Sequence, residues 1–117
     1  MIDIIVAHLK TGSIKNVVPF GSTPLPAPPY VVVKEEPTGL GFTRYRAIAH
    51  FAAGQGSAMR TYAKKTVFDL LAYVELTGSG GRRFCLTPVG PGAVSTANSD
   101  STISQEAVFS LPEMAYV

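Results

Sequence analysis

The hydrophobic pattern of this chain changes period at a pair of glycines. Before them, in FTRYRAIAHFAA (residues 42–53), Tyr45, Ala47, Ala49 and Phe51 alternate with Arg44, Arg46 and His50. That is the period-two signature of a half-buried strand. After them, over residues 57–76, Met59, Tyr62, Ala63, Val67, Leu70, Leu71 and Val74 recur at i, i+3 and i+4. That is the signature of an amphipathic helix. Gly54 and Gly56 stand at the junction, and Ser57 is placed to cap the helix. A strand turning into a helix in this way predicts a sheet with a helix packed on its apolar face.

The flanking segments extend this plan. YVVVKEE (residues 30–36) has strand composition, and the short link PTGLG makes it the hairpin partner of residues 42–53. Residues 2–11 carry Ile2, Ile5, Val6 and Leu9 at helical spacing, with Asp3 near the positive end and Gly12 where a C-cap glycine would stand; the β-branched Ile4, Ile5 and Val6 make a strand the alternative. Between these elements, PFGSTPLPAPP (residues 19–29) is dense in proline. Proline brings no backbone donor to a ladder or helix, so this reads as an extended, semi-stiff arm fit to strap a neighbour. RRFCLTPV (residues 82–89) and TISQEAVFSL (residues 102–111) read as two more strands, joined by the polar loop GPGAVSTANSD. The second turns Ile103, Ala107, Phe109 and Leu111 inward, and Pro112 closes it. The order helix, hairpin, helix, hairpin predicts one α+β domain over residues 1–117. Its antiparallel four-stranded sheet, built from two hairpins, packs with an N-terminal helix and a main central helix.

Composition narrows the function classes. With 46% hydrophobic and 15% charged residues, the chain is too apolar for disorder, and its 117 residues suit one modest core. It is also lightly charged for a protein exposed on all sides, which points to partners covering part of its surface. The single cysteine, Cys85, forms no internal disulfide and reads as a small buried hydrophobe between Phe84 and Leu86. No apolar run is long enough to span a membrane. MIDIIVAHLKTG lacks both the basic lead and the cleavage-like site of a signal peptide.

Site chemistry finds little support. Strand, glycine turn and helix at FAAGQGSAMRTYAKKT have the layout of a phosphate cradle. A P-loop, however, would place Gly-Lys-Ser/Thr at 59–61, where Met59, Arg60 and Thr61 stand. A dinucleotide site would need a third glycine, again at Met59, and a parallel βαβ unit. His8, His50 and Cys85 are too few and too scattered for a metal site. Glu35 and Glu36 are adjacent and point to opposite faces of a strand, so they share no substrate. These readings predict no enzyme, no cofactor and no metal. The basic residues Arg44, Arg46, Arg60, Lys64, Lys65, Arg82 and Arg83, with His50, form a loose set suited to contacts with neighbouring subunits or with passing nucleic acid.

From Pro28 to Pro112 the chain resembles the tail terminator, or tail completion, proteins of long-tailed bacteriophages. The likeness lies in the Pro-rich arm leading into PYVVV (Pro29–Val33) and the alternating mate Thr43–Phe51. It continues through Gln55 in the turn, the amphipathic helix Ala58–Leu71 and the last strand TISQEAVFSLP. TGSGG at residues 77–81 and the loop at residues 90–102 depart from that pattern. The resemblance implies a ring-forming, typically hexameric virion protein, assembled in the host cytoplasm. Such a ring caps the tail tube and docks it to the head connector, with DNA as passing cargo and no catalytic residues. A head-side adaptor of the same neck region, or a small nucleic-acid-binding module using the basic residues, is the alternative.

Overall fold

The computed structural model describes residues 1–112; positions 113–117 of the expected domain lie outside the described residues. In chain order the elements are α1 (Ile2–Leu9), β1 (Val17–Pro19), β2 (Tyr30–Pro37) and β3 (Phe42–Ala52). Then come α2 (Gly56–Thr61), a π-helical turn (Tyr62–Thr66) and α3 (Val67–Leu71). β4 (Glu75–Thr77), β5 (Arg83–Cys85), β6 (Thr87–Ser95) and β7 (Thr102–Pro112) follow within the described residues. α2, the π turn and α3 join through residues that keep right-handed helical angles, so they form one continuous central helix.

The main sheet has five strands in the order β1-β2-β3-β7-β6, and β4-β5 form a separate two-stranded sheet. This corrects the expected antiparallel sheet of four strands in two hairpins. The main sheet is mixed, because β1 runs parallel to β2, with Val17 opposite Val31. A parallel neighbour needs a crossover rather than a tight turn. The proline-rich arm is that crossover, carrying the chain from β1 back to the start of β2. The expected third strand is two strands. Arg83–Cys85 pairs with β4, and Thr87–Ser95 pairs with β7, running on through half of the expected polar loop. The helical pattern also stops short of residue 76. Ala72 is extended, Tyr73 has a φ of 57° and donates its N–H to Leu86 O, and Glu75–Thr77 then alternates exposed, buried, exposed.

The core lies on one face of the sheet. Val31, Val33, Tyr45, Ala47, Ala49, Phe51, Ala107, Phe109 and Leu111 meet Met59, Tyr62, Ala63, Val67 and Leu71 of the central helix and Ile5 and Leu9 of α1. His8 Nε2 lies 2.8 Å from Leu70 O and ties α1 to the end of the central helix. Cys85 is exposed, not buried as expected, because strand alternation gives the inward positions to Phe84 and Leu86.

The glycines act differently from their sequence reading. Gly12 does not cap α1, whose C-cap is Lys10. Its missing side chain instead admits Leu70, whose Cδ1 lies 2.8 Å from where a Cβ would stand. The central helix begins at Gly56 with Gln55 as N-cap, and no side chain caps it, so Ser57 lies inside the first turn. Gly54 alone at this junction has positive φ, 90°, with open space around it. Its requirement is therefore backbone strain, which costs an L-residue roughly 1–2 kcal/mol. At Gly56 a Cβ meets the movable Arg60 guanidinium at 3.3 Å. Gly54→Val should lower stability by about 1–2 kcal/mol, and Gly56→Ala should leave it unchanged or raise it by up to about 1 kcal/mol. Urea denaturation reads both, and equal losses at the two positions would contradict the assignment.

Candidate functional site

The face of the sheet away from the helices collects the polar side chains that alternation excludes from the core. On β3 these are Arg44, Arg46 and His50. Register places Glu36 beside Arg44 and Lys34 beside Arg46 on β2, and Ser110, Val108 and Ser104 beside Arg44, Arg46 and His50 on β7. Residues directly opposite in a ladder share a face, so this set meets without help from loops.

Arg46 is the centre of one cluster. Its Nε donates to Glu36 Oε1, and its Nη1 donates to Glu106 Oε1 at 2.9 Å. Lys34 Nζ adds a second cation to Glu36 at 3.4 Å, and the Ala93 N–H donates to Glu106 Oε1 at 3.2 Å. The chain of contacts thus spans β2, β3, β7 and β6. The Arg46 hydrogen bond, ahead of burial, sets the balance at Glu36 and holds its carboxyl below the usual range. Glu36 in turn holds the Arg46 guanidinium up. Arg44, next along, lies over the Phe42 ring at 5.6 Å, and its buried Nε has no hydrogen-bond partner among the described residues.

His50 belongs to a second cluster. Its ring stacks on Tyr30 at 4.5 Å and 8°. The Tyr30 hydroxyl donates to Asp100 Oδ2 at 2.5 Å, and the Thr102 hydroxyl donates to Asp100 Oδ1 at 2.5 Å. With its one proton committed to Asp100, Thr102 Oγ1 can only accept from His50 Nδ1, 3.1 Å away, and from Asn98 Nδ2. His50 is therefore the Nδ1–H tautomer. The Thr102 and Tyr30 hydrogen bonds hold Asp100 down to about 2. Burial, then Asp100, pushes the Tyr30 phenol up to about 12. Burial also pulls His50 below its ordinary value, against the opposing pull of Asp100. The crossover arm closes one side of a cleft of about 450 Å³ here, with Phe20, Leu25, Val32, Ile48, His50 and Asn98 among its walls.

The remaining sequence-predicted residues lie elsewhere. Arg60, Lys64 and Lys65 are exposed on the central helix, on the other side of the sheet, where Lys65 faces Asp69 at 4.0 Å. Arg82 and Arg83 lie at the β4–β5 hairpin, Arg83 beside Glu75 at 3.6 Å. The loose basic set is thus divided among three regions. Sequence reading missed Glu36, Glu106, Tyr30, Asp100 and Thr102 as partners, because strand register brings Glu36, Glu106, Tyr30 and Thr102 to Arg46 and His50, and the turn before β7 brings Asp100. Among the described residues, no three metal-capable side chains converge, and no helix is long and apolar enough to cross a membrane.

The two edges of the main sheet carry a different signal. No charged residue stands between Lys15 and Lys34, the stretch that makes β1, the arm and the start of β2. None stands between Arg83 and Asp100, the stretch that includes β6. Phe20 and Leu25 on the first stretch, and Val89 and Val94 on the second, are exposed. Free sheet edges are usually guarded by charge, above all by lysine. Here the guards are prolines and the bulges of β6, which block backbone pairing while leaving apolar contact open. No family model, no curated protein and no solved structure matches this chain.

Two outcomes follow from the clusters. Arg46→Ala strands two partly buried carboxylates and should cost about 1–2 kcal/mol in urea denaturation; a loss of only a few tenths would show the network to be solvated. Asp100 is held low in the folded state, so its stabilisation is present above its ordinary 3.8 and is lost as pH falls through about 2. The stability gap between the wild type and Asp100→Asn should therefore narrow over that window, and a gap independent of pH would contradict the cluster.

Proposed function

We propose that the protein is a ring-forming structural subunit of the tail-terminator type. In this reading it caps the tail tube of a long-tailed bacteriophage and joins it to the head connector. The observation that carries the reading is the pair of uncharged, apolar sheet edges on opposite sides of one subunit. Two different sticky surfaces on one chain favour head-to-tail association, which makes a ring when the rotation closes. The sparse charge of the whole chain agrees, since a covered edge needs no solubilising charge. The resemblance of residues 28–112 adds the virion context and a six-fold ring. The nucleic-acid alternative is less favoured: Arg46 is engaged by Glu36 and Glu106, and the sheet separates it from Arg60, Lys64 and Lys65. One duplex cannot lie against both groups.

Incubation of the purified, labelled protein with isolated tail tubes and with emptied heads, followed by negative-stain imaging, tests the position. The expected result is rings at the head-proximal ends of tails. Label on head connectors alone would move the protein to the head side, and label on neither would sink the reading.

A further inference from the structure

The helix layer of this domain stops one strand short. α1 packs on β1 and β2, and the central helix packs on β3 and β7. β6 extends beyond that cover. Its residues Pro88, Pro91 and Val94 pair with Phe109, Ala107 and Gln105 of β7, all of them buried on the helix side. Paired residues share a face, so these three form an apolar strip on the helix side of the sheet. Among the described residues no element hides it: Val94 is 55% exposed, and Pro91 is exposed as well.

The opposite edge offers what the strip lacks. Between α1 and the end of β1 lies a groove of about 460 Å³ walled by Ile2, Val6, Ala7 and Pro19, with Asp3 and Lys10 at its rim. It lies on the same side of the sheet as the strip, because Ile5 and Leu9 of α1 share the core with the central helix. The strip has no charge to oppose an apolar wall, and the groove keeps its two charges at the edge.

We propose that the β6 strip of one copy is covered by the α1–β1 groove of the next copy, so that the neighbour's α1 supplies the missing part of the helix layer. This rests on the ring reading above and specifies its contact. The two surfaces are different and lie at opposite edges of one sheet, so the contact repeats head to tail. Each subunit then gives one strip and receives one. Pro88, Pro91 and Pro19 interrupt the row of backbone donors that strand addition would use, so the contact is made by side chains.

Paired cysteines test it in the full chain, with the exposed Cys85 replaced in every variant (Cys85→Ser). Ala7→Cys chains are mixed with Val94→Cys chains and oxidised, with Ala7→Cys plus Leu40→Cys as the control pair, Leu40 being 78% exposed at the β2–β3 tip. The expected result is a mixed disulfide dimer from the 7/94 pair well above the 7/40 control. Val94→Asp should weaken assembly by about tenfold or more, while its far-UV spectrum and melting stay those of the wild type. Rings that form, by light scattering, with no excess of the 7/94 cross-link would overturn this contact alone. Undiminished assembly of Val94→Asp would do the same. A chain that stays monomeric even on tail tubes would overturn the ring reading and this contact together.

Discussion

The architecture hangs on the ladder between β3 and β7. Phe42 to Ala52 pairs without interruption with Thr102 to Pro112. That register decides which residues face the helices and which face away, and a slip of one position would exchange the two sets. It places Ala47 beside Ala107 and Tyr45 beside Phe109 under the central helix. On the other face it brings Glu106 within reach of Arg46 and Thr102 within reach of His50. Arg46 then acts as a register pin, since its guanidinium joins carboxylates from β2 and β7 at once. Outward from this ladder the sheet grows to β2 and β1 on one side and to β6 on the other, and it ends on both sides in uncharged sequence.

Legibility followed the length and the partners of each element. β3 was readable because its alternation runs through many residues, and the central helix because Met59 to Leu71 keeps one phase. β1 was not, since three residues give no period and their strand identity comes from Val31 and Val33 beside them. Thr87 to Ser95 holds two prolines and two glycines and reads as loop by propensity. It is a strand because β7 offers it a free edge, and its two bulges absorb the poor fit. The helical pattern of the sequence runs on to residue 76 because Val74 fits its phase; Tyr73, turned to positive φ and bonded to Leu86, breaks it. At the candidate site, alternation alone gave Arg44, Arg46 and His50 a common face. Glu36 is reached across the β2–β3 hairpin, while Glu106 and Thr102 sit far away in sequence and only the β3–β7 ladder joins them.

Charge explains the functional reading better than the basic residues do. The cations of the loose basic set are divided among three regions, and Arg46 works inside the subunit. What distinguishes the chain is where charge is missing. Both edge segments lack it, both expose apolar side chains, and both carry prolines that discourage indiscriminate strand addition. A free monomer gains nothing from that combination. A subunit with a neighbour at each edge gains burial at two surfaces and a contact geometry that side chains alone define.

The central claim is a closed head-to-tail assembly, and native mass spectrometry over a range of concentrations, with and without tail tubes, addresses it most directly. The account predicts one dominant species at a single integer multiple of the 12.4 kDa subunit, greater than two. Monomer under every condition, or a two-fold dimer and nothing larger, would contradict it.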